Sequence, residues 1–176
     1  MRLAALAVVA LLAGCTSTGP APTVTPTPRP TFTVTLAAPP GVVLPDRHRT
    51  PGATNPAVTQ ATIQATICRV GWTATIRPPA AYTTGLKRQQ LAGGYAYRGD
   101  VNPADYEEDH LISLELGGAA KSALNLWPEP YTGTGARAKD RVENRLHALV
   151  CSGRLPLVTA QRAIAVNWWA ASQTYP

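Results

Sequence analysis

Glu108-Asp109-His110-Leu111-Ile112-Ser113-Leu114-Glu115-Leu116-Gly117-Gly118, followed shortly by Asn125-Leu126-Trp127-Pro128, is the stretch on which the fold turns. Residues 106–114 read as a strand. Gly117-Gly118 lets the loop after it turn sharply, since glycine adopts left-handed backbone without a Cβ penalty. Residues 125–127 give a second short strand, which Pro128 is expected to stop. An Asp-His pair on a strand sends its two side chains to opposite faces unless the strand end bends.

Downstream, residues 135–150 form the clearest helix of the chain, with Val142, Leu146, Leu149 and Val150 at i, i+4, i+7 and i+8 on one apolar face. At about 100° per residue, Lys139 and Glu143 fall beside that face and point toward the two strands. Asp140, Asn144 and His147 lie nearer the opposite side. A last helix, capped by Thr159, runs to about Ala171 and carries Trp168 and Trp169. Upstream, Asn55-Pro56 supplies an N-cap and a first-turn proline for a short helix to about Thr66. Residues 72–76 alternate like a strand that ends at Pro78-Pro79. Thr83 or Thr84 caps a helix through Leu91, closed by Gly93-Gly94. These elements predict a small, mostly helical α+β domain with strand, loop, strand and helix at its centre. Trp127, Trp168 and Trp169 read as packing residues rather than platforms for bases.

With its spacings taken together, the central segment resembles the HNH endonuclease superfamily, the ββα-metal nucleases. The matching pattern is Asp109-His110, a Gly-Gly pair seven residues after the histidine, and Asn125-Leu126 fifteen residues after it, with helix 135–150 as third element. Ile67-Cys68 and Gly71-Trp72-Thr73-Ala74-Thr75-Ile76-Arg77-Pro78 also look like an exported HNH-like group. The resemblance implies a domain built around a ββα-metal motif and a metal-dependent endonuclease that hydrolyses phosphodiester bonds of DNA or RNA. His110 would be the general base, a task that an imidazole of pKa near ~6.5 suits at neutral pH. Asp109 would hold a divalent cation, Mg²⁺ or Mn²⁺, because hard ions prefer carboxylate oxygens and can bridge the scissile phosphate. Asn125 would fasten the loop and orient the histidine.

The third position of the pattern departs from the family. There is no cysteine-pair zinc knuckle, and no asparagine or histidine at the usual short distance after Asn125. The helix offers Glu143 as second metal ligand, Asp140 and Asn144 as alternates, and Lys139 for a phosphate. A plain i,i+4 pair between Lys139 and Glu143 is the competing reading. His147 reads as a surface or capping residue, and Glu107 and Glu108 as outer ligands or an exposed strand edge. The departure keeps a second function open: a non-enzymatic surface lipoprotein that uses a degenerate HNH-like scaffold for binding. A zinc site built on the histidines would have too few soft ligands.

The amino end carries its own resemblance. Met1-Arg2 and the apolar run of residues 3–12 lead into Leu12-Ala13-Gly14-Cys15, which resembles the lipobox of bacterial lipoproteins. It implies a signal peptide over residues 1–15, lipidation of Cys15, and an extracytoplasmic protein anchored to the membrane by lipid. Residues 16–50 hold eight of the 17 prolines, interleaved with Thr, Ala and Ser, and read as a disordered linker. Residues 51–176 are left for one nuclease-like domain with a single core.

The chain has three cysteines. With Cys15 assigned to lipid, Cys68 and Cys151 remain in an oxidising compartment, which predicts a disulfide between them; two free buried thiols are the alternative. The whole chain carries a net charge of +6. Arg2, Arg29, Arg47, Arg49 and Asp46 lie outside residues 51–176, which leaves 12 basic and 9 acidic residues there, a net of +3. A weakly basic domain is compatible with nucleic acid as partner without demanding it, and no protein partner is inferable.

Overall fold

The computed structural model describes residues 37–131 and 135–176. Cys15, the expected signal peptide over residues 1–15 and residues 16–36 of the expected linker lie outside the described residues. The order is a helical turn α1 (Trp72–Ile76), α2 (Ala80–Gln90), β1 (Tyr106–His110), β2 (Leu126–Pro130), α3 (Ala136–Cys151) and α4 (Leu157–Thr174). This is a small α+β domain, as expected. β1 and β2 pair antiparallel, with Asp109 opposite Trp127 and His110 opposite Leu126.

The main core lies between α3, α4 and the loops before α1. Val142, Leu146 and Val150 from α3 join Leu157, Ala160, Ile164 and Trp168 from α4, with Val58, Ile63 and Ile67 closing the other side. The apolar face read for α3 is buried in full. Cys68 and Cys151 are joined in a disulfide across a separation of 83 residues. A crosslink closing so long a loop is worth about 2–4 kcal/mol. Within α4, Asn167 takes extended backbone, φ −167° and ψ 99°. Its Oδ1 accepts from Ala170 N at 3.0 Å, which caps the second half of the helix.

Several expected elements differ. Residues 55–66 are not a helix; only Ile63–Ala65 makes a single 3₁₀ turn. Side chains divert the backbone: Asn55 Oδ1 accepts from Ala57 N, Thr62 Oγ1 accepts from Thr59 N, and the Thr62 hydroxyl donates to Ala57 O. Such local bonds compete with the helical ladder. Residues 72–76 are helical rather than extended. Gly71, at φ 80°, turns the chain into the helix. Pro78 then holds Arg77 at ψ 131° and ends it. α2 begins at Ala80 instead of Thr83, whose hydroxyl bonds back to Ala80 O. Gly94, at φ 83°, lies in the turn that closes it, as the glycine pair predicts.

β2 does not stop at Pro128 but runs through it to Pro130. Main-chain bonds from Leu111 N to Asn125 O and from Tyr131 N to Asp105 O flank the ladder. Their two-residue period puts Pro128 and Pro130 where an N–H would point away from β1, so neither proline costs a bond. The packed region also begins before Pro51. Trp168 Nε1 donates to Val43 O at 3.1 Å, and Val43 and Thr50 are buried. The short apolar run Val42-Val43-Leu44 supplies the surface that the surrounding prolines lack.

Candidate functional site

The loop between β1 and β2 is organised by one side chain. β1 ends at His110, four residues before the expected end at 114. Beyond it Asn125 stands in for a strand partner. Its Oδ1 accepts from Ile112 N at 3.0 Å, and its Nδ2 donates to Ile112 O at 2.9 Å and Ala119 O at 3.2 Å. Asn125 is fully buried, so these bonds satisfy main-chain groups that water cannot reach. Gly118 completes the arrangement, because a Cβ there would fall inside the contact shell of Ile112 O and against Asn125 Nδ2. These bonds tie the loop to Ile112 and Ala119.

Within that frame His110 Nε2 lies 3.0 Å from Ala120 O. A carbonyl only accepts, so Nε2 carries the proton and the neutral ring keeps its lone pair on Nδ1. His110 is buried at 7% exposure. Burial lowers its pKa below the usual imidazole value, and Lys139 and Arg77 push the same way against the Ala120 carbonyl and Asp109. The ring is therefore neutral at pH 7.

Asp109 points elsewhere. Its Oδ2 lies 2.5 Å from Lys139 Nζ on α3. The same ammonium donates to His110 O at 2.8 Å and to Glu143 Oε1. Lys139 is fully buried, and these three acceptors match its three N–H donors. Burial by itself would lower its pKa, but Asp109, Glu143 and Glu129 outweigh that and raise it. The i,i+4 pair with Glu143 is present, with Asp109 as a third member. Lys139 thus faces inward on carboxylates rather than outward toward a phosphate.

Glu129 is the residue that sequence reasoning missed. It sits in β2 on the face of Trp127 and Asp109, is 0% exposed, and meets no N–H or hydroxyl donor among the described residues, so that its polar neighbour is the Asp109 carboxyl. Burial, reinforced by Asp109, pushes its pKa up to about 10. Reading β2 as stopped at Pro128 hid it; continuing the Trp127–Glu129 alternation would have placed it on Asp109's face. Glu143 is raised to about 8, chiefly by burial and against the pull of Lys139. Glu108, on the other face of β1, is raised to about 8 by burial, against Lys87.

The remaining residues are not gathered at this point. Asp140 and Asn144 are exposed, and Asn144 Nδ2 donates back to Asp140 O. His147 is half-buried: its Nε2 lies 2.9 Å from Ile67 O, and its Nδ1 3.8 Å from Glu115. It ties α3 to the loop that carries Cys68. Cys68, His147 and Cys151 lie close enough to suggest a metal triad, but the two sulfurs are bonded to each other. Trp127 and Trp168 are buried as packing residues, and His48 is exposed. Around Asp109, carboxylates are the available donors, with Glu129 buried beside it. That chemistry fits a hard divalent cation such as Mg²⁺ or Mn²⁺.

No family model, no curated protein and no solved structure matches the chain.

Proposed function

We propose that the domain is a metal-dependent endonuclease of the HNH type, cleaving phosphodiester bonds of DNA or RNA, with His110 as general base. The observation that carries this reading is the His110 Nε2–Ala120 O bond. It selects the tautomer whose Nδ1 lone pair can take a proton from water, and burial keeps the ring neutral for that work. Asn125 holds the loop that carries Ala120, and so orients the imidazole. Asp109 would hold Mg²⁺ or Mn²⁺, which when bound supplies charge stabilisation on the phosphate and the leaving oxygen. The test is plasmid nicking by purified protein in Mn²⁺. Wild type nicks and His110→Ala does not; full activity in His110→Ala removes the assigned base.

A second reading is favoured by one observation. Lys139 engages both Asp109 and Glu143, as a structural ion cluster would in a non-enzymatic binding lipoprotein. Calorimetry separates the two: no Mn²⁺ binding at millimolar metal favours the scaffold.

We further propose an extracytoplasmic protein tethered through lipidated Cys15. The Cys68–Cys151 disulfide supports an oxidising compartment. Incorporation of labelled palmitate that is lost in Cys15→Ser is the expected result, and incorporation that persists overturns the assignment.

A further inference from the structure

The α3 residues expected to partner Asp109 at a cation are otherwise engaged. Glu143 is held by Lys139, and Asp140 and Asn144 face solvent. β2 offers the alternative. Asp109 pairs with Trp127 and Glu107 with Glu129, so Asp109 and Glu129 lie on one face of the hairpin, diagonal across the two strands. At that offset carboxyl groups can meet.

Glu129 is fully enclosed, no N–H or hydroxyl of the described residues reaches either oxygen, and the side chain it meets is the Asp109 carboxyl. Two carboxyls set side by side, one of them with no other donor, can be satisfied by a shared proton or by a shared cation. The carboxylate of Asp109 gives one oxygen to Lys139 and keeps 15% of its side-chain surface open to solvent. Asp109 is the exposed member of the pair and Glu129 the sealed one. Mg²⁺ and Mn²⁺ sites commonly use one or two carboxylates and complete their shell with water and substrate oxygens.

We propose that Glu129, and no residue of α3, is the second carboxylate ligand beside Asp109 in a divalent-cation site on the hairpin face. Lys139 then positions Asp109 from α3, with Glu143 as a further acceptor of its ammonium, and the third element of the motif supports the site without ligating. The proposal rests on the metal-dependent reading for the class of ion. It departs from that reading's expectation that the helix supplies the ligand.

The test is Mn²⁺ binding by the full chain after chelator treatment, read as the loss of the free-ion electron paramagnetic resonance signal, with melting temperature measured in parallel. Wild type, Glu129→Gln and Asp140→Asn are compared. Wild type is expected to bind one Mn²⁺ and to melt higher with it. Glu129→Gln is expected to bind at least tenfold more weakly, while its metal-free melting temperature equals or exceeds that of wild type. Asp140→Asn should stay within twofold of wild type. Wild-type affinity in Glu129→Gln overturns the proposal and leaves the metal-dependent reading standing, with Asp140 restored as ligand if Asp140→Asn is the variant that weakens. Weaker binding that comes with a lower metal-free melting temperature gives Glu129 a structural part and also overturns it. Absence of Mn²⁺ binding in wild type overturns this site and the metal-dependent reading together.

Discussion

Asp109 and His110 are consecutive in β1, yet each answers to a different partner: Asp109 Oδ2 lies 2.5 Å from Lys139 Nζ, and His110 Nε2 lies 3.0 Å from Ala120 O. The strand sends one side chain to the helix and the other to the loop. The proposed base and the proposed cation ligand thus have separate side-chain partners.

The first prediction concerns the base. As the proposed base His110 would work unprotonated, and its pKa is lowered by burial. The acid limb of plasmid nicking in Mn²⁺ should therefore have its midpoint below the ordinary imidazole value of ~6.5. A rate already halved at pH 7.5 on an acid limb would contradict the neutral-ring assignment.

Lys139 gives the second. Replacing it with methionine removes a fully buried cation and leaves Asp109 and Glu143 without their shared donor. Breaking one side of a buried ionic cluster costs about 3–5 kcal/mol. Urea unfolding at pH 8 should show a loss of that size. The loss should grow as pH rises above 8, where Glu143, raised to about 8 in wild type and held down by Lys139, ionises in wild type before it does in Lys139→Met. Equal stability of Lys139→Met and wild type at pH 8 would mean that the cluster contributes nothing.

How much of this was legible in the sequence follows from what each residue depends on. The α3 face was readable because a helical period is local, and it placed Lys139 and Glu143 toward the strands correctly. Asn125 was legible as a loop fastener, though its substitution for a strand partner of Ile112 depends on where β1 stops. Trp72–Ile76 was misread because its alternation suits a strand while Gly71 and Pro78 bracket one helical turn, and no third strand pairs with the described sheet. Glu129 was missed for a similar reason. Proline breaks a ladder only where its missing N–H would have donated, and that depends on register, which a single strand does not reveal.

The third prediction is the pH dependence of stability in chelator-treated protein. Glu129 is raised to about 10 and Glu143 to about 8, both mainly by burial. A carboxyl whose folded pKa is raised contributes stability below its unfolded value, near ~4.3, and that contribution is lost as pH rises through the folded value. Each proton kept by the folded chain but not by the unfolded one removes about 1.4 kcal/mol per pH unit. Urea midpoints should therefore fall between pH 5 and pH 9, and more gently in Glu129→Gln. A midpoint that rises over that range would show these carboxyls to be ionised in the folded protein.

The last prediction separates the loop from the site it carries. Asn125→Ala removes the acceptor of Ile112 N and the donor to Ile112 O and Ala119 O, in a position with no access to water. Each buried main-chain group left unpaired costs about 1–3 kcal/mol, so urea unfolding should show a loss of several kcal/mol. Asn125→Asp keeps the acceptor for Ile112 N but loses both donors and turns a carboxylate toward the Ile112 and Ala119 carbonyls, so it should be destabilised at least as much at pH 7. The consequence for His110 is specific. Ala120 adjoins Ala119, and loosening the Asn125–Ala119 bond frees the carbonyl that fixes the imidazole tautomer. Under conditions where Asn125→Ala remains folded, nitrogen-15 chemical shifts of the His110 ring should move from those of a single Nε2–H tautomer toward an average of both. Unchanged ring shifts in a folded Asn125→Ala would show that the loop holds Ala120 without this amide.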